Sequence, residues 1–320
     1  SPSPSGEGLG WGSVSQRPTY VLESLHPPNP SSKEEGLKRG NLAPAPIRPY
    51  SARMPREITA YSNPLIKRMR NLRDKRHRRE EGLFLAEGLR ILTEAREAGR
   101  IPDYLFYTAE TARHPLVVAL VTATEARGGE AIETNADILS KLSGKDNPGA
   151  VVGVYPEFAL DLAQIDRSTA PIWLVAERLR DPGNLGTILR TGDAVGAGGL
   201  ILLDDCVDPF SVEAVRASMG ALFTVPVARA RWEEFEPWLR AGPGQLVGLS
   251  LDTDHDYQAP RYAAPTFLLT GNEAQGMPPH MEAACDLLVK IPMLGKADSL
   301  NAAVATAVMA YEVRNQFRNA

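Results

Sequence analysis

From Ile172 to the C-terminus, short apolar runs alternate with segments of helical length, and that rhythm limits the fold more than any other feature of the chain. Ile172-Trp-Leu-Val-Ala, Leu200-Ile-Leu-Leu, Thr224-Val-Pro-Val, Gln245-Leu-Val-Gly-Leu-Ser, Thr266-Phe-Leu-Leu-Thr and Leu287-Leu-Val-Lys-Ile read as strands. Leu185 to Val195, a short segment capped by Ser211, Trp232 to Arg240, and Leu300 to Asn315 read as helices. Such alternation implies a mostly parallel sheet covered on both faces. In open sheets of this kind ligands bind beyond the carboxyl ends of the strands. The loops at those ends are where chemistry should be sought.

Three loops there combine glycine with polar side chains: Asn184-Leu-Gly-Thr-Ile-Leu-Arg190, Gly271-Asn-Glu-Ala-Gln-Gly276 and Ile291-Pro-Met-Leu-Gly-Lys-Ala-Asp-Ser-Leu-Asn301. In the first, Gly186 and Arg190 are four apart and share one helix face. A glycine inside a helix costs about 1 kcal/mol relative to alanine, which suggests a close approach of some other backbone or ligand. Arg190 then either clamps a phosphate with its planar fork or is a solvated charge, and Gly186 either admits a ligand or accommodates packing. The second loop is either a ligand platform of exposed peptide groups or a tight turn. In the third, Ser299 reads as the N-cap of the last helix. That helix continues as Ala302-Ala-Val-Ala-Thr-Ala-Val-Met-Ala, apolar on every side, and is expected to be buried, partly against a second subunit. Gly192-Asp-Ala-Val-Gly-Ala-Gly-Gly ends a helix and precedes a strand, the reverse of a dinucleotide fingerprint, and reads as a helix stop. Asp204-Asp205 and the group Asp252, Asp254, His255 and Asp256 lack a Cys/His framework, so no metal is expected.

The 320 residues suffice for two domains. A net charge of −4 gives no bulk sign of a nucleic-acid partner, but the basic residues are unevenly placed. Pro64 to Glu81 carries Lys67, Arg68, Arg70, Arg73, Lys75, Arg76, Arg78 and Arg79 against Asp74, Glu80 and Glu81, with Leu65, Ile66, Met69 and Leu72 at helical spacing. This reads as one amphipathic helix with a basic face. Strands at Leu83–Ala86, Tyr104–Tyr107 and Ala150–Tyr155 and helices at Leu89–Ala98 and Pro115–Arg127 complete a small α/β domain over residues 54–155. Residues 156–170 read as a linker and 171–320 as the second domain. Residues 1–53, rich in Pro, Ser and Gly, bury too little apolar surface to offset their ordering entropy and are expected to be disordered. Met54 is the expected start of translation, with the preceding residues a non-native extension; a natural peptide from residues 1–50 in mass spectrometry would contradict this. Cys206 and Cys285, the only cysteines, lack metal-ligand spacing and suit a reducing cytoplasm. No apolar run is long enough to span a bilayer.

In order and spacing, the three loops resemble the motifs of the SpoU family of RNA ribose 2′-O-methyltransferases. The resemblance extends from about Arg56 to the C-terminus. Glu87-Gly88 and Leu142-Ser-Gly-Lys-Asp-Asn-Pro-Gly-Ala-Val-Val-Gly-Val are similar to the small RNA-binding domain that many members carry, although Asn147-Pro-Gly-Ala departs from the more usual Asn-Pro-Gln-Gly. The resemblance implies a trefoil-knotted C-terminal α/β domain, S-adenosylmethionine as cofactor, a homodimer and a cytoplasmic enzyme. Gly271 would lie beneath the cofactor, Ile291 and Leu300 would give it backbone contacts, and Met293 an apolar wall. Arg190 would be the catalytic arginine, Glu273 the acid of the second motif, and Asn184, Ser299 and Asn301 would position Arg190 or the ribose. Members with the extra domain more often modify ribosomal RNA, so 23S rRNA is the expected substrate. A tRNA ribose methylase, a base methylase of related knotted fold, and a non-catalytic RNA-binding or ribosome-assembly protein are the alternatives.

Overall fold

A computed structural model describes residues 56–158 and 161–318; the extension expected before Met54 lies outside the described residues. Its first part comprises β1 (Arg56–Glu57), α1 (Pro64–Asn71), α2 (Lys75–Glu81), β2 (Leu83–Glu87), α3 (Leu89–Glu97), β3 (Tyr104–Thr108), α4 (Pro115–Ala126), β4 (Glu130–Thr134), α5 (Ala136–Ser143) and β5 (Val151–Pro156). The strands form a mixed sheet in the order β1-β4-β3-β5-β2, with β5 antiparallel to both neighbours. The expected single helix over 64–81 is instead two. Asp74 accepts the Arg76 amide at 2.8 Å and caps a fresh helix, because a short carboxylate offers the backbone a better partner there than a continued turn.

The second part runs β6 (Ile172–Glu177), α6 (Pro182–Val195), β7 (Leu200–Leu203), α7 (Val212–Ser218), α8 (Ala221–Thr224), β8 (Val227–Ala230), α9 (Trp232–Arg240), β9 (Gln245–Leu249), β10 (Thr266–Thr270), α10 (Pro279–Ala284), β11 (Leu287–Val289) and α11 (Ala302–Arg318). All six strands are parallel, in the order β11-β9-β10-β6-β7-β8. β10 enters between β9 and β6, and α11 returns to pack on α6, β10 and β6. This is the expected α/β class with a knotted C-terminal part. Three local expectations change. Thr224 ends α8 instead of opening a strand, since Pro226 cannot donate to a ladder; only its carbonyl joins, accepting from the Leu200 amide at 2.8 Å. Helix α6 begins a turn early, where Asp181 accepts the Asn184 amide at 2.7 Å and Pro182 takes the first helical position. The cap of α11 is Asn301, which accepts the Ala303 amide at 2.9 Å, and not Ser299.

Helix α11 is also less covered than its composition suggested. Ala303, Met309 and Val313 are buried, but Val304 and Tyr311 are 47% and 55% exposed on its outer side. The two sheets share one core, in which Phe84 and Tyr155 of the first sheet meet Phe210, just before α7, and Phe223 of α8, with ring centroids 4.9 Å apart in the pairs Phe84–Phe210 and Tyr155–Phe223. Among the described residues, no helix is long and apolar enough to cross a membrane.

Candidate active site

The three glycine-bearing loops converge at the carboxyl end of the parallel sheet. β6 delivers the chain to Arg178, whose left-handed φ of 45° turns it so that the next amides face the second loop. Glu273 receives the Arg180 and Asp181 amides at 3.3 and 3.4 Å and the Asn184 side-chain amide at 3.0 Å. Asn301 donates to the Asn184 side-chain oxygen at 2.8 Å. One residue from each loop thus enters a single chain of hydrogen bonds, Asn301 to Asn184 to Glu273. Partial desolvation pushes the Glu273 carboxyl up, but the Asn184 amide and the surrounding backbone N–H groups more than offset it and hold the group below the usual glutamate range. Glu273 is therefore an occupied anion that braces two loops.

The second loop is braced from within. Asn272 and Gly276 exchange backbone hydrogen bonds at 2.9 and 3.0 Å, and the Asn272 side chain reaches back to the Arg178 carbonyl at 2.8 Å. A Cβ on Gly271 would lie 2.6 Å from the backbone of Gly276 and Met277, so only glycine permits this fold-back. Beside it opens a cleft of about 390 Å³ lined by the 271–277 backbone, Ile291, Met293, Ser299 and Leu300, with Asp252 and Glu282 on the far wall. An adjoining recess is lined by Asp181, Asn184, Glu273, Ser299, Leu300 and Asn301. Thr270 and Thr306, buried and 2.8 Å apart, fasten the end of β10 to α11 beneath the cleft.

Residues 171–311 match the SpoU rRNA methylase family, and residues 63–153 match the MRM3-like substrate-binding domain. A tRNA/rRNA methyltransferase of Synechocystis, itself uncharacterised, is 33% identical over 265 residues, covering 81% of this chain and 93% of the relative. The chain belongs to the SpoU family. A 23S rRNA (uridine-2′-O) methyltransferase of Streptomyces viridochromogenes is 33% identical over 77% of this chain and 87% of its own. The crystal structure of an rRNA methyltransferase from Sinorhizobium meliloti with AdoMet bound superposes with a TM-score of 0.76 at 40% identity, covering 81% of this chain and 97% of that one.

In this SpoU methylase, Asn184, Glu273, Ser299 and Asn301 surround the recess, and Gly271, Ile291, Met293 and Leu300 line the cleft. Arg190 lines neither. It is exposed on α6, its side chain without a hydrogen bond or ion pair to any described residue. Gly186, its neighbour on the helix, is filled by protein: a Cβ there would lie 2.4 Å from that of Ala217 on α7. The packing reading of Gly186 holds, and the ligand reading does not. Sequence reasoning gave no role to Asp181 or Asn272, which set the two loops. Asp181 was accessible as an Asp-Pro helix start. The reach of Asn272 to Arg178 had no local signal. Among the described residues, no group of three or more His, Cys, Asp or Glu is placed to hold a metal.

Proposed function

We propose that the cleft holds S-adenosylmethionine against the 271–276 and 291–300 loops and that the adjoining recess presents a ribose 2′-hydroxyl of ribosomal RNA, most specifically 23S rRNA. The enzyme is an S-adenosylmethionine-dependent RNA 2′-O-methyltransferase. The observation that carries the residue assignment is the Asn301–Asn184–Glu273 chain, which joins the cofactor cleft to the recess beside it. The cleft suits this cofactor. Its volume falls in the range of small-molecule sites, and Ile291, Met293 and Leu300 offer apolar walls. Its ionisable lining residues, Asp252, Glu273 and Glu282, are all acidic, which matches a ligand bearing a sulfonium and an ammonium against one carboxylate. The 23S activity of the Streptomyces relative supports the choice of RNA.

When bound, the cofactor supplies an electrophilic methyl group. The protein's own residues orient. Asn184, Asn301 and Ser299 position the sugar, and such alignment can be worth about 7–11 kcal/mol of barrier. Arginine does not give up its proton in proteins, so Arg190 acts as a guanidinium that grips the adjacent phosphate and stabilises the developing alkoxide, while the 2′-hydroxyl proton passes to that phosphate or to water. The test is incubation of the protein with labelled cofactor and 23S rRNA from cells lacking the gene, followed by nucleoside analysis. Label in a 2′-O-methylnucleoside is expected. Label in a base, or none in RNA, refutes the reading.

Docking of the RNA falls to the first part of the chain. Arg68 is paired with Glu81, Arg76 with Glu80, and Arg78 is buried. Lys67, Arg70, Arg73, Lys75 and Arg79 remain exposed without an ion-paired partner among the described residues. Reversing Lys67, Arg70 and Arg79 to Glu should weaken RNA binding and flatten its salt dependence by about 0.7 in log–log slope for each phosphate no longer neutralised. An unchanged slope in filter binding would show that this face is merely solvated. We further place the enzyme in the cytoplasm as a homodimer. Val304 and Tyr311, seven apart and so on one side of α11, are exposed apolar residues that a second subunit would cover. Light scattering should give twice the chain mass; a monomer at micromolar concentration would exclude the pairing.

A further inference from the structure

A second cluster of ionic contacts, built on a buried carboxylate, lies away from the cleft at the junction of the two sheets. Glu87, the last residue of β2, is 8% exposed. One of its oxygens accepts the Gly149 amide at 2.7 Å; the other accepts the Arg216 guanidinium at 2.9 Å and lies 3.5 Å from the Lys145 ammonium. Arg216 also reaches the Ser143 carbonyl at 3.5 Å. A single carboxylate therefore ties β2, the loop 144–150 and α7 together. Its cationic partners come from both sides of the junction.

Helix α7 is itself locked to the catalytic part. Ala217, next to Arg216, fills the space left by Gly186 on α6, the helix that carries Asn184 and Arg190. The contacts run without a gap from the basic face to the helix of the reaction site: the Arg73 guanidinium packs on Gly144, where a Cβ would lie 2.4 Å from it, Lys145 and Gly149 meet Glu87, Glu87 meets Arg216, and Ala217 meets Gly186. Around this line the shared aromatic core of Phe84, Tyr155, Phe210 and Phe223 opposes hinge motion between the sheets. With Glu87 buried and its two cations partly exposed, the contact adds little net stability, because desolvation of the carboxylate offsets attraction. What it does supply is a defined geometry.

We propose that Glu87, acting through Arg216, is a positioning residue that holds loop 144–150 at a fixed distance from α6. The nucleotide that is methylated is then set by its spacing from the point where the RNA docks. This rests on the RNA methylation reading above. A displacement of about 1 Å in a reacting complex can cost on the order of a hundredfold in rate. Loosening this contact should therefore slow the chemistry without emptying either binding site.

The test uses full-length protein, S-adenosylmethionine and unmethylated 23S rRNA. Glu87→Gln keeps the side-chain volume and an acceptor for Gly149 but removes the charge. Arg216→Met removes the guanidinium from a half-buried position. Each variant should lower the single-turnover rate at saturating RNA by about tenfold or more, with dissociation constants for RNA and cofactor within about threefold of wild type. If both act through one contact, the double variant should be no slower than the slower single within about twofold. Arg216→Lys, which retains a cation, should recover part of the rate. Rates within twofold of wild type would overturn the proposal, as would rates that fall only in step with weakened binding or a lowered melting temperature, or strictly multiplicative losses. Should Glu87→Gln fail to fold, the rate and binding of Arg216→Met decide the matter alone. A wild-type protein that transfers no methyl to this RNA would overturn the methylation reading and this proposal with it. An active wild type with unaffected variants overturns the proposal only.

Discussion

Arg190→Ala should lower methyl transfer by about a hundredfold to a thousandfold, the loss typical of removing one preorganised donor from a developing oxyanion, while cofactor affinity stays within a few-fold. The two halves of this expectation have separate physical sources. Arg190 lines neither the cleft nor the recess and its side chain has no hydrogen bond or ion pair among the described residues, so removing it should disturb no contact the cofactor would make. Its position favours RNA instead. Asn184 and Arg190 are six residues apart on α6, a rise of about 9 Å. An exposed guanidinium with no ion-paired partner among the described residues, on the helix that carries Asn184, is available to a phosphate when RNA arrives. Calorimetry with the cofactor and single-turnover kinetics with RNA separate the two effects. Wild-type turnover in the variant would remove Arg190 from the reaction, and a lost cofactor site would show that the variant had damaged the fold.

Those features that sequence could reveal are the ones decided within a few residues. Glycines at strand ends followed by polar side chains marked the three loops, because an exposed peptide surface depends on the local chain. Trp232 to Arg240 and the stop at Gly196 were equally local. Ser299 and Asn301 show where this ends. Both are good caps, two positions apart, and nothing nearby chooses between them; the bond from Asn301 to Asn184, 117 residues away, holds Asn301 in the capping position. Counting cations over Pro64–Glu81 overstated the basic face for a similar reason. Arg78 points inward because its partner, Asp208, lies 130 residues downstream. The break between α1 and α2 belongs to the same arrangement, since Arg78 donates to the carbonyls of Leu72 and Arg73 that a continuous helix would have satisfied internally.

That partnership carries the largest expected effect on stability. Asp208 and Arg78 are 7% and 2% exposed and meet at 2.7 Å; Asp208 also accepts from Arg229 at 2.9 Å and from the Phe210 amide at 3.1 Å. Asp208→Ala would leave a buried guanidinium without its counter-charge, which costs about 3–5 kcal/mol. Burial alone would push the Asp208 carboxyl up, but Arg78, the Phe210 amide and Arg229 outweigh it and hold the group below the usual aspartate range. The folded state therefore binds fewer protons at this site than the unfolded chain. The stabilisation is complete above the ordinary aspartate value and is lost as pH falls through the depressed folded one. Urea unfolding of wild type and Asp208→Ala should show their widest gap near neutral pH, closing in acid as the wild-type carboxyl takes up a proton. A gap below about 1 kcal/mol at neutral pH would be the size of an exposed pair, and a gap that stayed constant into acid would mean that the missing side-chain volume, not the charge, had been responsible.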